Sequence, residues 1–217
     1  MNFHQIDIEH WNRKEHFHHY MSGAKCSFNM TANVDVTELL VALKDKDIKF
    51  YPAFIYMVTR IVNKHREFRT TFNEKGILGY WNEVVPNYTV FHRDARTFSA
   101  LWTDYSSDFS TFYKDYESDL NVFGHQKGLW VKENVPPHTF SISSIPWVNF
   151  SSFELNLFNG EDYLLPIITC GKYASNGDQT LLPISIRVHH AVCDGYHVGL
   201  FLHDLQQLID DYPHWLT

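Results

Sequence analysis

Leu181-Leu182-Pro183-Ile184-Ser185-Ile186-Arg187-Val188-His189-His190 runs directly into Ala191-Val192-Cys193-Asp194-Gly195. The first ten residues alternate with the period of a strand. Leu182, Ile184, Ile186, Val188 and His190 share one face, and Ser185, Arg187 and His189 share the other. Asp194-Gly195 ends the strand, and Val198 to Ile209 has the apolar spacing of an amphipathic helix. The alternation also sets His190 in register with Val188 and Ile186. A histidine there is partly desolvated, which disfavours the imidazolium and keeps the ring a neutral base near pH 7. A histidine on an apolar face is also a common hydrogen-bonded core residue, and the pattern leaves both readings open.

Upstream, Glu9 to Tyr20 reads as a short helix and Cys26 to Val34 as a strand. Asp35 is expected to cap a helix over Val36 to Lys44. Pro52 suits the first turn of a helix that continues over Ala53 to His65, with Phe54, Met57, Ile61 and Val62 on one face. Strands are expected near Phe68–Phe72, Ile77–Trp81, Tyr88–Arg93, Thr97–Trp102, Phe140–Ser143 and Leu164–Lys172. A helix is expected over Asp108 to Phe123. Strands interspersed with a few helices predict an α/β or α+β layered domain. No repeat, low-complexity tract or linker divides residues 1–217, so a single domain is expected.

Composition narrows the function. The formal net charge of -7 and the absence of a Lys/Arg stripe argue against nucleic acid, whose phosphates need a basic surface. The 17 Phe and 12 Tyr suggest a thick core, a buried subunit interface or an apolar ligand site. The three cysteines, Cys26, Cys170 and Cys193, are widely spaced with no C-x-x-C, which predicts reduced thiols rather than a disulfide framework or zinc site. Met1 to Tyr20 has no signal-peptide apolar stretch, and Tyr51 to Val62 is too short to span a bilayer and carries Arg60. A soluble intracellular protein is expected, with no membrane partner. His16, His18 and His19 do not share one helix face, so no metal site is expected.

His-His-x-x-x-Asp-Gly before an amphipathic helix resembles the active-site signature of the chloramphenicol acetyltransferases. Further segments resemble that family in family order: Trp11 to Phe17, Lys49 to Pro52, Thr89 to His92, Phe98 to Leu101, Tyr105 to Asp108, Pro146 to Phe150, Pro166 to Thr169, and Lys172-Tyr173. The resemblance spans essentially the whole chain and implies the coenzyme A-dependent acyltransferase fold, an α/β (α+β) two-layer sandwich of a mixed β-sheet with helices packed on one face. It implies direct acetyl transfer from acetyl-coenzyme A to the primary hydroxyl of chloramphenicol within a ternary complex.

By that resemblance, His190 is the general base and Ser143, in Ile142-Ser143-Ser144-Ile145-Pro146-Trp147, is the oxyanion donor. Thr169 holds a water near the reacting centre. Asp194 is expected to pair with Arg13 and hold the active-site backbone rather than to complete a triad, and the base is expected to fix its tautomer through its own carbonyl. Tyr20, Cys26, Thr89, Phe98, Ala100 and Leu155 would surround the antibiotic, and Tyr51, Trp147 and Tyr173 would line the coenzyme A channel. Cys193 as a thiol nucleophile does not fit direct transfer, and Cys170 is expected in the core. The family implies a cytoplasmic homotrimer whose His190 faces a neighbour's antibiotic pocket. His19 departs from the apolar residue many members carry there.

Two other readings compete. The catalytic domain of a dihydrolipoyl acyltransferase resembles this fold but carries Asp-His-x-x-x-Asp-Gly, where this chain has His189, and would bring lipoyl and subunit-binding domains upstream. A catalytically silent binding homologue is disfavoured by the intact His190, Ser143, Thr169, Arg13 and Asp194.

Overall fold

A computed structural model describes residues 1–158, 160 and 162–216. The chain opens with strand β1 (Phe3–Gln5), a 3-10 turn (Ile8–His10) and helix α1 (Lys14–His18), followed by a π turn (His19–Gly23). Strand β2 (Ser27–Asp35) leads to helices α2 (Thr37–Asp45) and α3 (Phe50–Lys64). After a 3-10 turn (Arg66–Arg69) come strands β3 (Thr70–Phe72), β4 (Leu78–Trp81), β5 (Val85–His92) and β6 (Thr97–Trp102). Helix α4 (Phe109–Phe123) precedes strands β7 (Thr139–Ser144), β8 (Ile167–Cys170), β9 (Ala174–Asn176) and β10 (Gln179–His189), and helices α5 (Gly195–Asp210) and α6 (Tyr212–Trp215) follow.

The main sheet has seven strands in the order β2-β10-β8-β7-β5-β6, with β9 pairing β10. It is mixed: β5 and β8 run parallel to β7, and the remaining pairs are antiparallel. A small antiparallel sheet, β1-β4-β3, stands apart. Among the described residues, no helix is long and apolar enough to cross a membrane.

β10 is flanked by β2 and β8, and its alternation sorts its two faces. Leu182, Ile184, Ile186 and Val188 join one apolar cluster with Phe54 and Val58 of α3, Phe112 of α4, and Val198 and Phe201 of α5. Hydrophobic burial on this side holds the helices to the sheet. Ser185 and Arg187 point to the opposite face, which is covered by irregular chain. The Ser185 hydroxyl donates to the Phe153 carbonyl at 2.7 Å, and Arg187 donates to the Tyr163 carbonyl at 3.2 Å. The mixed sheet with helices on one face agrees with the expected two-layer architecture.

Several boundaries differ from expectation. Glu9 to Tyr20 is not one helix, because Trp11 is extended (φ -79°, ψ 125°) and Arg13 enters α1 with φ -102°. Asp35 lies one residue too early to be the N-cap of α2. It still serves the first turn, accepting the Thr37 N–H at 3.0 Å. β5 begins three residues before Tyr88 because Pro86, which reads as a strand breaker, is accommodated there. β8 is shorter than Leu164–Lys172, lying between Pro166 and Gly171. The Phe68–Phe72 segment is half 3-10 turn and half strand. Asp108 caps α4, accepting the Thr111 N–H at 2.7 Å.

Candidate active site

β10 ends at His189, one residue earlier than the alternation suggests, so His190 stands on the turn and not in the strand. Its backbone N–H donates to the Cys26 carbonyl at 2.9 Å, and its side chain is 29% exposed. The imidazole lies against Tyr20, with ring centroids 4.0 Å apart and an interplanar angle of 12°. Phe28 meets it edge-on at 5.3 Å. His190 is thus clamped by aromatic rings while one side stays open. His189 is buried, and its Nδ1 accepts the Ala191 N–H at 3.1 Å.

His190 Nδ1 lies 3.1 Å from the Cys193 carbonyl oxygen and 3.2 Å from Asp194 Oδ1. Both partners are acceptors, so in the neutral ring Nδ1 carries the proton and Nε2 the free lone pair. The orienting carbonyl belongs to Cys193 and not, as expected, to His190 itself. His190's own carbonyl is engaged by Arg13, whose Nη2 donates to it at 2.8 Å while Nε donates to the Ala191 carbonyl at 2.8 Å.

Arg13 also holds Asp194 through two bonds, Nη1 to Oδ2 at 2.5 Å and Nη2 to Oδ1 at 2.6 Å. Hydrogen bonding from Arg13 keeps the Asp194 carboxyl below the usual carboxylate range, against the effect of burial. One guanidinium therefore binds both oxygens of Asp194 and two carbonyls of the turn. Burial pushes the Cys193 thiol far up, so it offers no thiolate. The Cys170 thiol, also buried, is pushed up to about 12.

A second cluster lies across the sheet. Ser143 and Thr169 are directly paired between β7 and β8, and their hydroxyls are 2.9 Å apart. Ser143 lines an open, mainly apolar cavity of about 480 Å³ with Thr89, Phe98, Ala100, Trp147 and Leu155. Thr169 is buried behind Ser143. Phe98, Ala100, Trp147 and Leu155 make the wall apolar, and β5 and β6 set Thr89 opposite Ala100 within it.

The expected antibiotic-pocket residues therefore fall into two groups. Thr89, Phe98, Ala100 and Leu155 line the cavity with Ser143. Tyr20 stands at His190, and Cys26 borders a separate cleft with Ser27, Leu157, Phe158 and Arg187. The three residues expected along a coenzyme A channel also separate. Trp147 is exposed and meets Phe91 edge-on at 4.6 Å, and Tyr173 is exposed beside Phe50. Tyr51 is edge-on to Tyr88, and its hydroxyl is buried. Among the described residues, no group of three or more His, Cys, Asp or Glu is placed to hold a metal ion.

The register separates Ser143 from His190. Ser143 pairs with Thr169, and Thr169 pairs with Ser185 of β10. His190 lies five positions beyond Ser185, which is roughly 16 Å along a strand. Ser143 shares its face with Thr169 and Ser185, whereas the His190 ring meets Phe28, the strand partner of Val188 on the apolar face. Asn87, whose side-chain amide oxygen is buried without a hydrogen-bond partner among the described residues, also lines the cavity, and no sequence pattern marks it.

The family model described as chloramphenicol acetyltransferase matches residues 1–206. A chloramphenicol acetyltransferase of Clostridium butyricum is 49% identical over 216 residues, covering 100% of this chain and 99% of the relative. A solved chloramphenicol acetyltransferase structure superposes with a TM-score of 0.85 at 21% identity, covering 96% of this chain and 100% of that one. A truncated catalytic core of the 2-oxoacid dehydrogenase multienzyme complex from Thermoplasma acidophilum superposes at 0.68 with 14% identity, covering 93% and 96%.

Proposed function

The chain belongs to the chloramphenicol acetyltransferase family and is an acyltransferase, and from that premise we propose that it moves the acetyl group of acetyl-coenzyme A onto the primary hydroxyl of chloramphenicol. Two features of the chain support this reading: an oriented imidazole at His190 and, separate from it, an apolar cavity that presents the Ser143 hydroxyl. A nitrophenyl ring and a dichloroacetyl group need such an apolar wall, with few polar groups to orient them.

The proposed chemistry uses the chain's own groups. His190 Nε2 takes the proton of the substrate hydroxyl, and the oxygen attacks the thioester carbonyl carbon. The carbonyl oxygen becomes an oxyanion and receives a hydrogen bond from Ser143, whose orientation is set by Thr169. The tetrahedral centre then collapses, the carbon–sulfur bond breaks, and the imidazolium returns its proton to the departing thiolate. Direct transfer fits the buried, protonated state of Cys193. Arg13 and Asp194 serve this chemistry by fixing the backbone that carries His190.

The separation of His190 from Ser143 within one chain implies that a neighbour completes each site. His190 with Tyr20 forms one half and the Ser143 cavity the other. A cytoplasmic homotrimer with three such interfaces is the proposed assembly. Thiol release measured with acetyl-coenzyme A and chloramphenicol tests the reaction. Release that depends on the antibiotic supports it, and release with dihydrolipoamide but not chloramphenicol supports the dihydrolipoyl acyltransferase reading instead.

A further inference from the structure

The turn that carries His190 has a third anchor besides Arg13 and the Cys26 carbonyl. Asp194 is the N-cap of α5, and His197 sits at the third position of that helix. The Asp194 backbone N–H donates to His197 Nδ1 at 2.9 Å. In many helices a Glu or Gln at this position reaches back to the N-cap N–H. Here an imidazole does so, and a ring nitrogen accepts a hydrogen bond only while it is unprotonated.

The contact lies one residue from the orienting carbonyl. Cys193 O holds His190 Nδ1, and the Cys193–Asp194 peptide unit contains both that oxygen and the N–H given to His197. Rotating this unit to release the N–H also moves the carbonyl, because the peptide is planar. His197 and the ring of His190 are thus linked through one rigid peptide, while Arg13 holds the peptide carbonyls of His190 and Ala191 on the other side.

We infer that His197 is a positioning residue for acyl transfer, whose neutral imidazole fixes the Cys193–Asp194 peptide and hence the orientation of His190. This rests on the reading of His190 as the base. A titratable anchor makes the position pH-sensitive. His197 borders a polar cavity of about 290 Å³ shared with Arg13, His16, Arg66, Glu67 and Asp194, which gives protons a route to it. Burial lowers its pKa from the ordinary value, Arg13 and His65 oppose a second positive charge, and the carboxylates of Glu67 and Asp194 favour one. Once protonated, Nδ1–H faces the Asp194 N–H, two donors meet, and the hydrogen bond that fixes the peptide is lost.

Two substitutions separate acceptor from bulk. His197→Leu fills space and accepts nothing, and His197→Gln accepts without titrating. His197→Leu should lower kcat about 10-fold with the KM of both substrates within about twofold, because the loss is in orientation and not binding. His197→Gln should recover most of that turnover. Its acid limb should fall with a single proton, whereas the wild-type limb steepens as a second group charges. Hydrogen exchange of the peptide spanning 190–197 should quicken in His197→Leu and slow again in His197→Gln. Equal kcat in wild type and His197→Leu, or a His197→Gln variant as slow as His197→Leu, overturns the inference. If His197→Leu does not fold, the comparison of acid limbs decides, and identical limbs in wild type and His197→Gln overturn it. Wild type and His190→Ala are assayed alongside. An active His190→Ala would instead overturn the reading of the base.

Discussion

The ring of Tyr20 lies nearly parallel to that of His190, 4.0 Å between centroids and 12° between planes. Tyr20 belongs to the π turn that follows α1, so the N-terminal segment supplies both the guanidinium that holds the His190 backbone and the ring that holds its side chain. A stacked aromatic contact of this kind contributes on the order of 0.5–1.5 kcal/mol. Tyr20→Phe should keep the stack and most of the turnover. Tyr20→Ala should free the imidazole and lower kcat roughly 2- to 12-fold. His190→Ala should cost about 10²- to 10⁴-fold or more in turnover with little change in the melting temperature. His189→Ala should lower the melting temperature instead, since that ring is buried and holds the Ala191 N–H. Steady-state kinetics and thermal melts on the same samples check all four. Full activity in Tyr20→Ala would mean that the turn alone orients the base.

Ser143 and Thr169 share one hydroxyl–hydroxyl hydrogen bond but differ in position. Ser143 faces the cavity, and Thr169 sits behind it. Ser143→Ala should lower kcat about 10²-fold with KM nearly unchanged, as expected for a donor that acts on developing charge. Thr169→Val removes the partner that orients Ser143 and should cost less, roughly 10-fold. Ser144→Ala should do little. A large rise in KM with unchanged kcat for Ser143→Ala would show that the hydroxyl binds substrate in its ground state.

The strand Gln179–His189 was legible because its two faces differ in kind, apolar toward the helices and polar toward the covering chain. The start of β5 was not, because Pro86 masks it, and the N-terminal helix was misread because extended Trp11 looks helical by composition. The same division holds at the site. A histidine pair before Asp-Gly carries the family resemblance, but the position of His190 past the strand end depends on the Cys26 carbonyl, which no local pattern encodes. The separation of Ser143 from His190 also follows only from strand register, which joins residues 26 and 16 positions apart through Thr169. His197 escaped notice because an imidazole at the third helical position lacks the usual Glu or Gln signature.

The Arg13–Asp194 pair joins residues 181 positions apart, with Arg13 mostly buried. Removing Arg13 leaves a partly buried carboxylate and two carbonyls without their donor. Arg13→Ala and Asp194→Ala should each lower activity and melting temperature, and the double variant should lose less than the sum. The pair also sets a pH dependence. The Asp194 pKa is lowered from 3.8 in the folded chain, so its stabilisation is present above the unfolded value and is lost as pH falls through the folded value. The difference in melting temperature between wild type and Arg13→Ala should be constant near neutrality and should shrink only below about pH 4. Additive losses, or a difference that vanishes already at pH 6, would show that the pair is not the stabilising element.

If each site is completed by a neighbour, two inactive variants should restore one another. His190→Ala lacks the base but keeps the cavity. Ala100→Trp keeps the base but fills the cavity, because Ala100 lines it opposite Thr89. In a cyclic trimer containing both kinds of subunit, going round the ring, one interface of the three pairs an intact base with an intact cavity. Random assembly from equal amounts makes about three-quarters of trimers mixed, so roughly a quarter of wild-type activity should return. Co-refolded mixtures, with composition read by native mass spectrometry, give the measurement. Separate samples mixed without refolding should stay inactive for as long as native mass spectrometry shows no mixed trimers in them. Mixed trimers without activity would place base and cavity in the same subunit. The chain would then have to bring His190 across roughly 16 Å and from the opposite face of its own sheet to reach Ser143.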